Sequence, residues 1–325
     1  MSEIAFGLTL ANRGVLLGLT TPAALLDLAE RAEDSGAFDS IWVGDSLFAK
    51  PRLEALALLN AIAGRTTRVR LGPACLASFP LRQPLVFAYE WASLDLIAEG
   101  RSVLIICAGG GSAGDWEQEA RAIGVPVEQR QKRLEEHLAI LRKVWSEDHV
   151  TFEGRFYRFS DVTLEPKPAQ RPCPIWLANN PHTVSPDPKR VERALRRTAR
   201  LADGWMTHSL TPELFRERWD TIRAYAREEG RSVDDNCLYH NINVNEDREA
   251  AFAETKKFLD AYYSANFSRE RVEAWSALGN PEECIAALRR WRGSGVRRIT
   301  LRLCSWDQLH QIGRVVNEVL PFVDA

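Results

Sequence analysis

Short apolar runs alternate with amphipathic segments of helical length along this chain. Near its middle, apolar residues 69–75 and 103–108 flank an amphipathic segment at 83–97. This order predicts a strand, a helix and a second strand. Neither run alternates strictly with polar residues, which is typical of parallel strands covered on both faces. Because ligands of parallel α/β folds bind beyond the carboxyl ends of the strands, we expect a functional site where these two strands end.

The same alternation continues along the rest of the sequence. It predicts strands at 4–10, 39–44, 69–75, 103–108, 175–178, 205–208, 238–244 and 298–303, each followed by a helix. An open doubly wound sheet would also alternate in this way, but the number of repeats favours a (β/α)8 or TIM barrel. We expect a single barrel domain over residues 1–325.

Three segments interrupt the repeat and are predicted to be insertions, near 112–128, 150–174 and 248–279. The aromatic and β-branched residues at 150–159, divided by Glu153 and Gly154, indicate a small antiparallel pair of strands. The stretch after a long helix at 248–265 is expected to be irregular up to Gly279. The last helix is predicted at 306–320.

Composition narrows the class of protein. The 325 residues include 42 Lys and Arg against 44 Asp and Glu, a net charge of -2 that favours neither nucleic acid nor an acidic membrane as a partner. The six cysteines form no Cys-x-x-Cys pair, and several lie in apolar runs. With no signal-like leader and no apolar run of membrane-spanning length, these features predict a disulfide-free cytoplasmic protein.

Two loops at predicted strand ends have the composition of ligand sites. The glycines at 109–111 do not fit the dinucleotide fingerprint, so we expect either a backbone that approaches a flat ring or phosphate, or a flexible loop. Residues 178–183 (ANNPHT) precede a helix and are suited to an anion site, although a capped helix start would look the same.

Other polar residues near strand ends are weaker candidates. Asp45 and Ser46 end the second strand, Arg82 lies beyond the third, and His208 or His240 could reach a pocket or have structural roles. The absence of His-x-His, H-E-x-x-H and Gly-x-Ser-x-Gly patterns argues against metal-dependent and serine hydrolases, and we predict no metal site. Five arginines are predicted to form a solvated helix face: Arg190, Arg193, Arg196, Arg197 and Arg200.

Several segments together resemble the bacterial luciferase-like flavin-dependent oxidoreductases. They include AEDSGAFDSIWVGDS at 32–46, VTFEGRFYRF at 150–159, PIWLANN at 174–180 and ADGWMT at 202–207, and they span nearly the whole chain in order. The resemblance implies a (β/α)8 barrel, in agreement with the strand count. It also implies that reduced flavin mononucleotide (FMN), or the deazaflavin coenzyme F420, lies across the barrel mouth.

The resemblance further implies which residues contact the cofactor. A non-proline cis peptide at Ala74–Cys75 would support the ring. Phosphate contacts map to the residues Ala108, Gly109, Gly110, Asn179, Asn180 and Lys132. The chain departs from the family in having Ser46 where a His often assists the flavin chemistry, and Asn179 and Asn180 where many members have two glycines.

We therefore expect a monooxygenase that uses reduced FMN and dioxygen on a small organic substrate. Asp45, Ser46 and Arg82 are predicted to face the ring or substrate, with His208 as a reserve acid or base. The resemblance allows a separate flavin reductase and a homodimer. One alternative is F420-dependent hydride transfer, which needs more positive charge at the mouth than the sequence places there. Others are a flavin-binding protein without turnover and an unrelated barrel hydrolase or lyase.

Overall fold

The computed structural model describes residues 4–109, 115–181 and 187–323. Its strands are β1 (Ala5–Leu10), β2 (Ser40–Val43), β3 (Arg70–Pro73), β4 (Leu104–Ile106), β5 (Val150–Glu153), β6 (Arg158–Val162), β7 (Ile175–Ala178), β8 (Gly204–His208), β9 (Asp235–Val244), β10 (Ser276–Gly279) and β11 (Arg298–Leu303). Its α-helices are α1 (Pro22–Asp34), α2 (Ala55–Ala63), α3 (Pro84–Ile97), α4 (Asp115–Ile123), α5 (Arg130–Ser146), α6 (Pro188–Leu201), α7 (Pro212–Glu228), α8 (Arg248–Tyr263), α9 (Arg269–Ala274), α10 (Pro281–Arg289), α11 (Gln308–Arg314) and α12 (Leu320–Val323).

Eight parallel strands form a barrel in the order β3-β2-β1-β11-β9-β8-β7-β4. Two parallel bridges, Leu71 to Ser102 and Leu76 to Ile106, join the β3 side to the β4 side and close the ring. The barrel strands are almost wholly buried, as expected for a parallel sheet wrapped by helices. The predicted (β/α)8 barrel is therefore confirmed.

Local signals explain where several helices begin. The Thr21 side chain accepts a hydrogen bond from Ala24 N at 3.1 Å, and Pro22 occupies the first helical position of α1. The apolar side chains of α1, such as Leu25 and Leu28, lie on one face of the helix and are buried in the core. This face packs on the sheet, as expected for an amphipathic helix that covers a barrel.

The segment at 150–162 forms the predicted antiparallel pair, with β5 and β6 outside the barrel. One other expectation is wrong, because the stretch expected to be irregular up to Gly279 contains α9 and β10. The predicted insertion near 112–128 contains the helix α4. The last helix also differs, because a π-helical turn at Val315–Val319 separates α11 from α12. None of the described helices combines the length and apolar character needed to cross a bilayer.

Ion pairs join three strands at the amino-terminal end of the barrel. Arg298 at the start of β11 pairs with Asp39 at 2.7 Å and with Asp235 at 3.4 Å, and Asp235 also pairs with Arg70 at 3.1 Å. Asp39 precedes β2 and Asp235 begins β9, so the network crosses the barrel strands. It lies at the opposite end from the carboxyl ends of the strands.

Candidate functional site

A cavity of about 720 Å³ opens at the carboxyl ends of the barrel strands. Its walls include residues that follow β2, β3, β4 and β7, together with residues of β8, α6, α9 and β11. Eight of the predicted site residues meet here: Asp45, Ala74, Cys75, Ala108, Gly109, Asn179, Asn180 and His208. This is the end of a TIM barrel at which active sites lie.

The base of the cavity contains the peptide bond between Ala74 and Cys75, which is cis, as the resemblance predicts. Cys75 lies beside Cys107, because Leu76 pairs with Ile106 where the chain leaves β3 and β4. The contact with the Cys107 thiol, together with burial, raises the pKa of Cys75 well above its ordinary value. Cys75 therefore presents a protonated thiol to the cavity at neutral pH.

On the β4 side, the backbone of Gly109 adopts a φ of +84°, which favours glycine. A Cβ at this position would lie only 2.8 Å from Nη1 of Arg130. The Arg130 side chain is 2% exposed and lies 3.5 Å from Glu119, yet its Nε and Nη1 find no hydrogen-bond partner in the part of the chain that the structure describes. The loop thus brings backbone and unused guanidinium donors together. Gly110 lies outside the described residues.

On the adjoining β7 side, Asn179 and Asn180 are held by side-chain hydrogen bonds. Asn179 Nδ2 donates to Thr198 Oγ1 at 2.8 Å. Asn180 Oδ1 accepts from Thr207 Oγ1 at 2.7 Å and from His208 N at 2.8 Å. These amides fix the loop after β7 against α6 and β8, whereas a pair of glycines would have no side chains to do so.

The arginines of α6 stay on a largely exposed face, as expected, but three of the five also border the cavity. Arg190, Arg193 and Arg197 line the cavity mouth. Their spacing of three and four residues places them on one stripe of the helix. Arg197 pairs with Glu135 at 2.8 Å. Arg196 and Arg200 lie beside the stripe and also pair with carboxylates, Arg200 with the same Glu135.

Asp45 is the buried acid of the site. Its Oδ2 accepts a hydrogen bond from Ser78 N at 2.6 Å, and its Oδ1 lies 3.7 Å from Arg82 Nη2. Burial raises the pKa of Asp45 above its ordinary value, although Arg82 and the Ser78 hydrogen bonds oppose that change. The structure therefore provides a carboxyl group at the cavity wall that holds its proton more tightly than an exposed Asp.

Three predicted residues do not line the cavity. Ser46 Oγ accepts from Lys50 N at 2.9 Å, which orders the following loop. Arg82 donates to Glu54 at 2.7 Å and to Ser78 Oγ at 2.9 Å, so it faces Asp45 from behind. Lys132 is exposed on α5, and its neighbour Gln131 lines the cavity instead. Direct ligand contacts by these three residues remain predictions.

The two histidines considered from sequence have different surroundings. The His208 ring stacks on Trp275 with centroids 4.7 Å apart, and its Nδ1 lies 2.8 Å from Ser209 Oγ. His240 is buried against Trp291, and burial lowers its pKa to about 3. His208 thus belongs to the cavity, whereas His240 is a neutral core residue.

Aromatic and basic residues on the β9 and β11 side were missed from sequence. They are Lys50, Arg52, Tyr239, Tyr263, Trp275 and Arg302, all of which line the cavity. One signal was available, because Arg298, Thr300 and Arg302 alternate with apolar residues in β11, and alternate strand residues share a face. The tryptophans near strand ends, Trp42, Trp176 and Trp205, are buried in the core.

A parallel eight-stranded barrel with its cavity at the carboxyl ends of the strands defines a TIM-barrel protein with an enzyme-like site. The chain belongs to the luciferase-like monooxygenase family, whose sequence model matches residues 5–298. The resemblance read from the sequence is thereby confirmed, and the chain is an oxidoreductase of this family rather than an unrelated barrel hydrolase or lyase.

Similar proteins within the family differ in cofactor. The chain is 25% identical to an F420-dependent glucose-6-phosphate dehydrogenase of Amycolatopsis mediterranei (strain U-32), over 92% of this chain and 94% of that protein. It is 30% identical to an FMNH2-dependent dimethylsulfone monooxygenase of Pseudomonas fluorescens (strain Pf0-1), over 81% of this chain and 66% of that protein. In fold it matches an F420-dependent secondary alcohol dehydrogenase with a TM-score of 0.82 at 19% identity, covering 99% of both chains.

Proposed function

We propose that this protein is an F420-dependent oxidoreductase that transfers hydride to or from a small organic substrate. The observation that carries the proposal is the stripe of Arg190, Arg193 and Arg197 at the cavity mouth. Coenzyme F420 has a long anionic tail, and its binding requires positive charge where that tail leaves the barrel. The sequence did not place such charge at the mouth, and α6 supplies it.

The inner part of the cavity also fits a ring with a phosphate. Gly109 leaves room beside the unused donors of Arg130, and a charged donor with no partner is suited to an anionic oxygen. The Ala74–Cys75 peptide and the protonated Cys75 thiol provide an uncharged surface for a flat ring. The anionic tail would then extend past Asn179 and Asn180 towards α6.

The bound deazaflavin would supply the hydride chemistry. The chain's own residues orient the reactants, exclude water and handle the proton. Trp275 and Phe267 cover the cavity on the β9 side, and Asp45, whose pKa is raised by burial, lies at the wall as a group that can exchange a proton. His208, fixed by Ser209 and stacked on Trp275, is the second group placed to exchange a proton with a substrate oxygen.

The curated relatives give independent support, because the F420-dependent glucose-6-phosphate dehydrogenases align with 92% of the chain. The experiment is a fluorescence titration of the purified protein with F420, with the deazaflavin lacking its anionic tail, and with oxidised and reduced FMN. We expect F420 to bind more tightly than the other ligands. Replacing two arginines in R190Q/R193Q should weaken F420 binding by about tenfold or more, since charge-assisted contacts are lost.

The tail-free deazaflavin separates charge from ring recognition, because its affinity should be the same for wild type and R190Q/R193Q. R200Q is the matched control, since Arg200 lies on the same helix but pairs with Glu135 outside the cavity. Equal loss of both deazaflavins in R190Q/R193Q would reject a tail site on α6. Binding of neither a deazaflavin nor FMN would reject the proposal.

A second candidate is the monooxygenase that uses reduced FMN and dioxygen. The 30% identity to FMNH2-dependent dimethylsulfone monooxygenases favours it. Tight binding of reduced FMN, together with substrate-dependent oxygen consumption and no binding of F420, would select this candidate. In that case a separate flavin reductase is expected to supply the cofactor. A homodimer remains a prediction under either candidate.

A further inference from the structure

The most unusual charged group in the cavity is Arg302, which is 1% exposed on β11. Among the described residues, its guanidinium makes one hydrogen bond, from Nη1 to the Tyr263 hydroxyl at 3.0 Å, and its Nε has no partner. No described carboxylate lies within ion-pair distance of it. A buried charge without a counterion is costly in free energy, so its retention needs an explanation.

Tyrosine rings surround Arg302 and stabilise part of its charge. The guanidinium carbon lies 4.1 Å from the ring centre of Tyr262 and 5.1 Å from that of Tyr239. Cation–π contacts favour the charged state but do not neutralise it, and the Nε–H donor remains unused. A purely structural Arg would ordinarily have all its buried donors satisfied.

Two more cations share this side of the cavity, which makes the local field positive. Lys50 lies over the Tyr263 ring and Arg52 over the Tyr262 ring, each at 5.5 Å, and neither forms an ion pair within the described part of the chain. Burial and the charges of Arg13 and Arg52 lower the pKa of Lys50. Burial alone would raise the pKa of Tyr262, yet Arg302, Arg52 and Arg13 lower it.

The barrel topology separates Arg302 from the loops expected to hold the cofactor phosphate. In the closed strand order, β11 stands opposite β4, which carries the Gly109 loop, and α6 follows β7 beside β4. Lys50 and Arg52 follow β2, two strands from β11 and two from β4, but they lie over the Tyr263 and Tyr262 rings that Arg302 also contacts. The cavity therefore has two positive walls, and one anionic group of a cofactor cannot neutralise both.

We propose that Lys50, Arg52 and Arg302 form an anion subsite that binds the oxyanion of an organic substrate. Trp275 and Phe267, also on the cavity wall, would pack against the apolar part of the same molecule. The substrate class is thus a small organic acid or phosphate ester with an apolar or aromatic body. This inference rests on the proposed function for the reaction, but the binding itself requires no cofactor.

The test is a tryptophan-fluorescence titration of the cofactor-free protein with benzoate, phenyl phosphate and benzamide. Benzamide has the shape of benzoate without its charge. We expect at least one anion to bind about tenfold more tightly than benzamide, as a charge-assisted hydrogen bond in a buried site would give. The tighter of the two anions distinguishes a carboxylate from a phosphate ester. Equal affinity for all three probes would overturn the proposal.

Variants locate the site. R302Q should weaken the preferred anion about tenfold and leave benzamide unchanged, and K50Q/R52Q should weaken it in the same sense if R302Q does not fold. R190Q/R193Q, on the opposite wall, should bind the anion as wild type does. Loss of anion binding in R190Q/R193Q but not in R302Q or K50Q/R52Q would overturn the assignment. The F420 affinity of R302Q is measured as well. If R302Q binds F420 as wild type does, a failure of anion binding concerns the subsite alone, whereas a wild type that binds no F420 contradicts the proposed function.

Discussion

At the scale of single residues, Asp45 is a buried titratable group of the cavity wall. Because burial raises its pKa, the folded protein binds this proton more tightly than the unfolded chain does. The stabilising effect is therefore complete below the ordinary value of 3.8 and is lost as pH rises through the raised pKa. Each tenfold difference in proton affinity corresponds to about 1.4 kcal/mol of folding free energy.

We predict that D45N is stabilised relative to wild type as pH rises from 3.8 towards neutrality. The substitution also removes the contact with Arg82. The effect of Arg82 on the ionised carboxylate is already part of the pKa of Asp45, so the pH dependence of the difference in stability still reports on the carboxyl group. Urea unfolding at a series of pH values measures the difference. The exposed D34N provides the control, and parallel pH profiles for wild type and D45N would contradict the prediction.

Sequence reasoning found single residues where one chain segment carries the signal. Asp45, the Ala74–Cys75 peptide, Gly109 and the pair Asn179–Asn180 each follow a strand, and all of them meet in the cavity. Arg302 was missed because a candidate anion-binding role follows only from the absence of a carboxylate among its spatial neighbours, and the sequence does not show those neighbours. The arginines of α6 are largely exposed as predicted, but helical spacing could not show that three of them border the cavity.

At the scale of elements, Glu33 connects the end of α1 to the chain that enters β3. Its carboxylate accepts hydrogen bonds from the backbone N–H groups of Thr67, Arg68 and Val69 at 2.8–3.0 Å. Burial alone would raise the pKa of Glu33, but these bonds lower it. The stability it provides is present above its ordinary value of 4.5 and is lost as pH falls through the lowered pKa.

Replacing Glu33 by Gln should destabilise the protein by about 2 kcal/mol, because the amide has one acceptor oxygen for three backbone donors. The loss should shrink at acidic pH, where wild-type Glu33 is itself protonated. Chemical denaturation measures both effects. E30Q changes a more exposed Glu on the same helix and should be nearly neutral; an equal loss in both variants would contradict a specific role for Glu33.

The sequence predicted long elements better than short ones. The helical period identified α3 and α8 nearly to their ends, and the apolar runs identified all eight barrel strands. The strand β10 has only the residues Ser276–Gly279, and it forms because β9 offers an edge for pairing. Its last residue, Gly279, has a φ of +112° and leads into the capping box of Asn280 and Glu283. Such a strand depends on its neighbours more than on its own pattern.

At the scale of the whole molecule, the network around Arg298 holds β11, β9 and the start of β2 together at the amino-terminal end. Removing a buried partner of an ion pair costs roughly 3–5 kcal/mol, and partial exposure of Asp39 and Asp235 reduces that value here. We predict that R298M loses about 2 kcal/mol of folding free energy and keeps the F420 affinity of wild type. Thermal unfolding and the cofactor titration measure the two effects.

R200M is the control for this substitution, because its surface pair with Glu135 should contribute about 0.5 kcal/mol or less. A loss of cofactor affinity in R298M equal to its loss of stability would contradict the separation of the two ends. The barrel itself followed from counting strands in the sequence. The ion network did not, because Asp39, Asp235 and Arg298 are far apart along the chain.

The position of the Arg298 network has a consequence for how such a chain diversifies over generations. The ion network around Arg298 lies at one end of the barrel, and the cavity proposed to select a ligand lies at the other. A lineage can therefore exchange Lys50 or Arg52 for other side chains without disturbing that network. We expect descendants of this scaffold to differ most in which molecules they accept and least in the ring of strands that carries them.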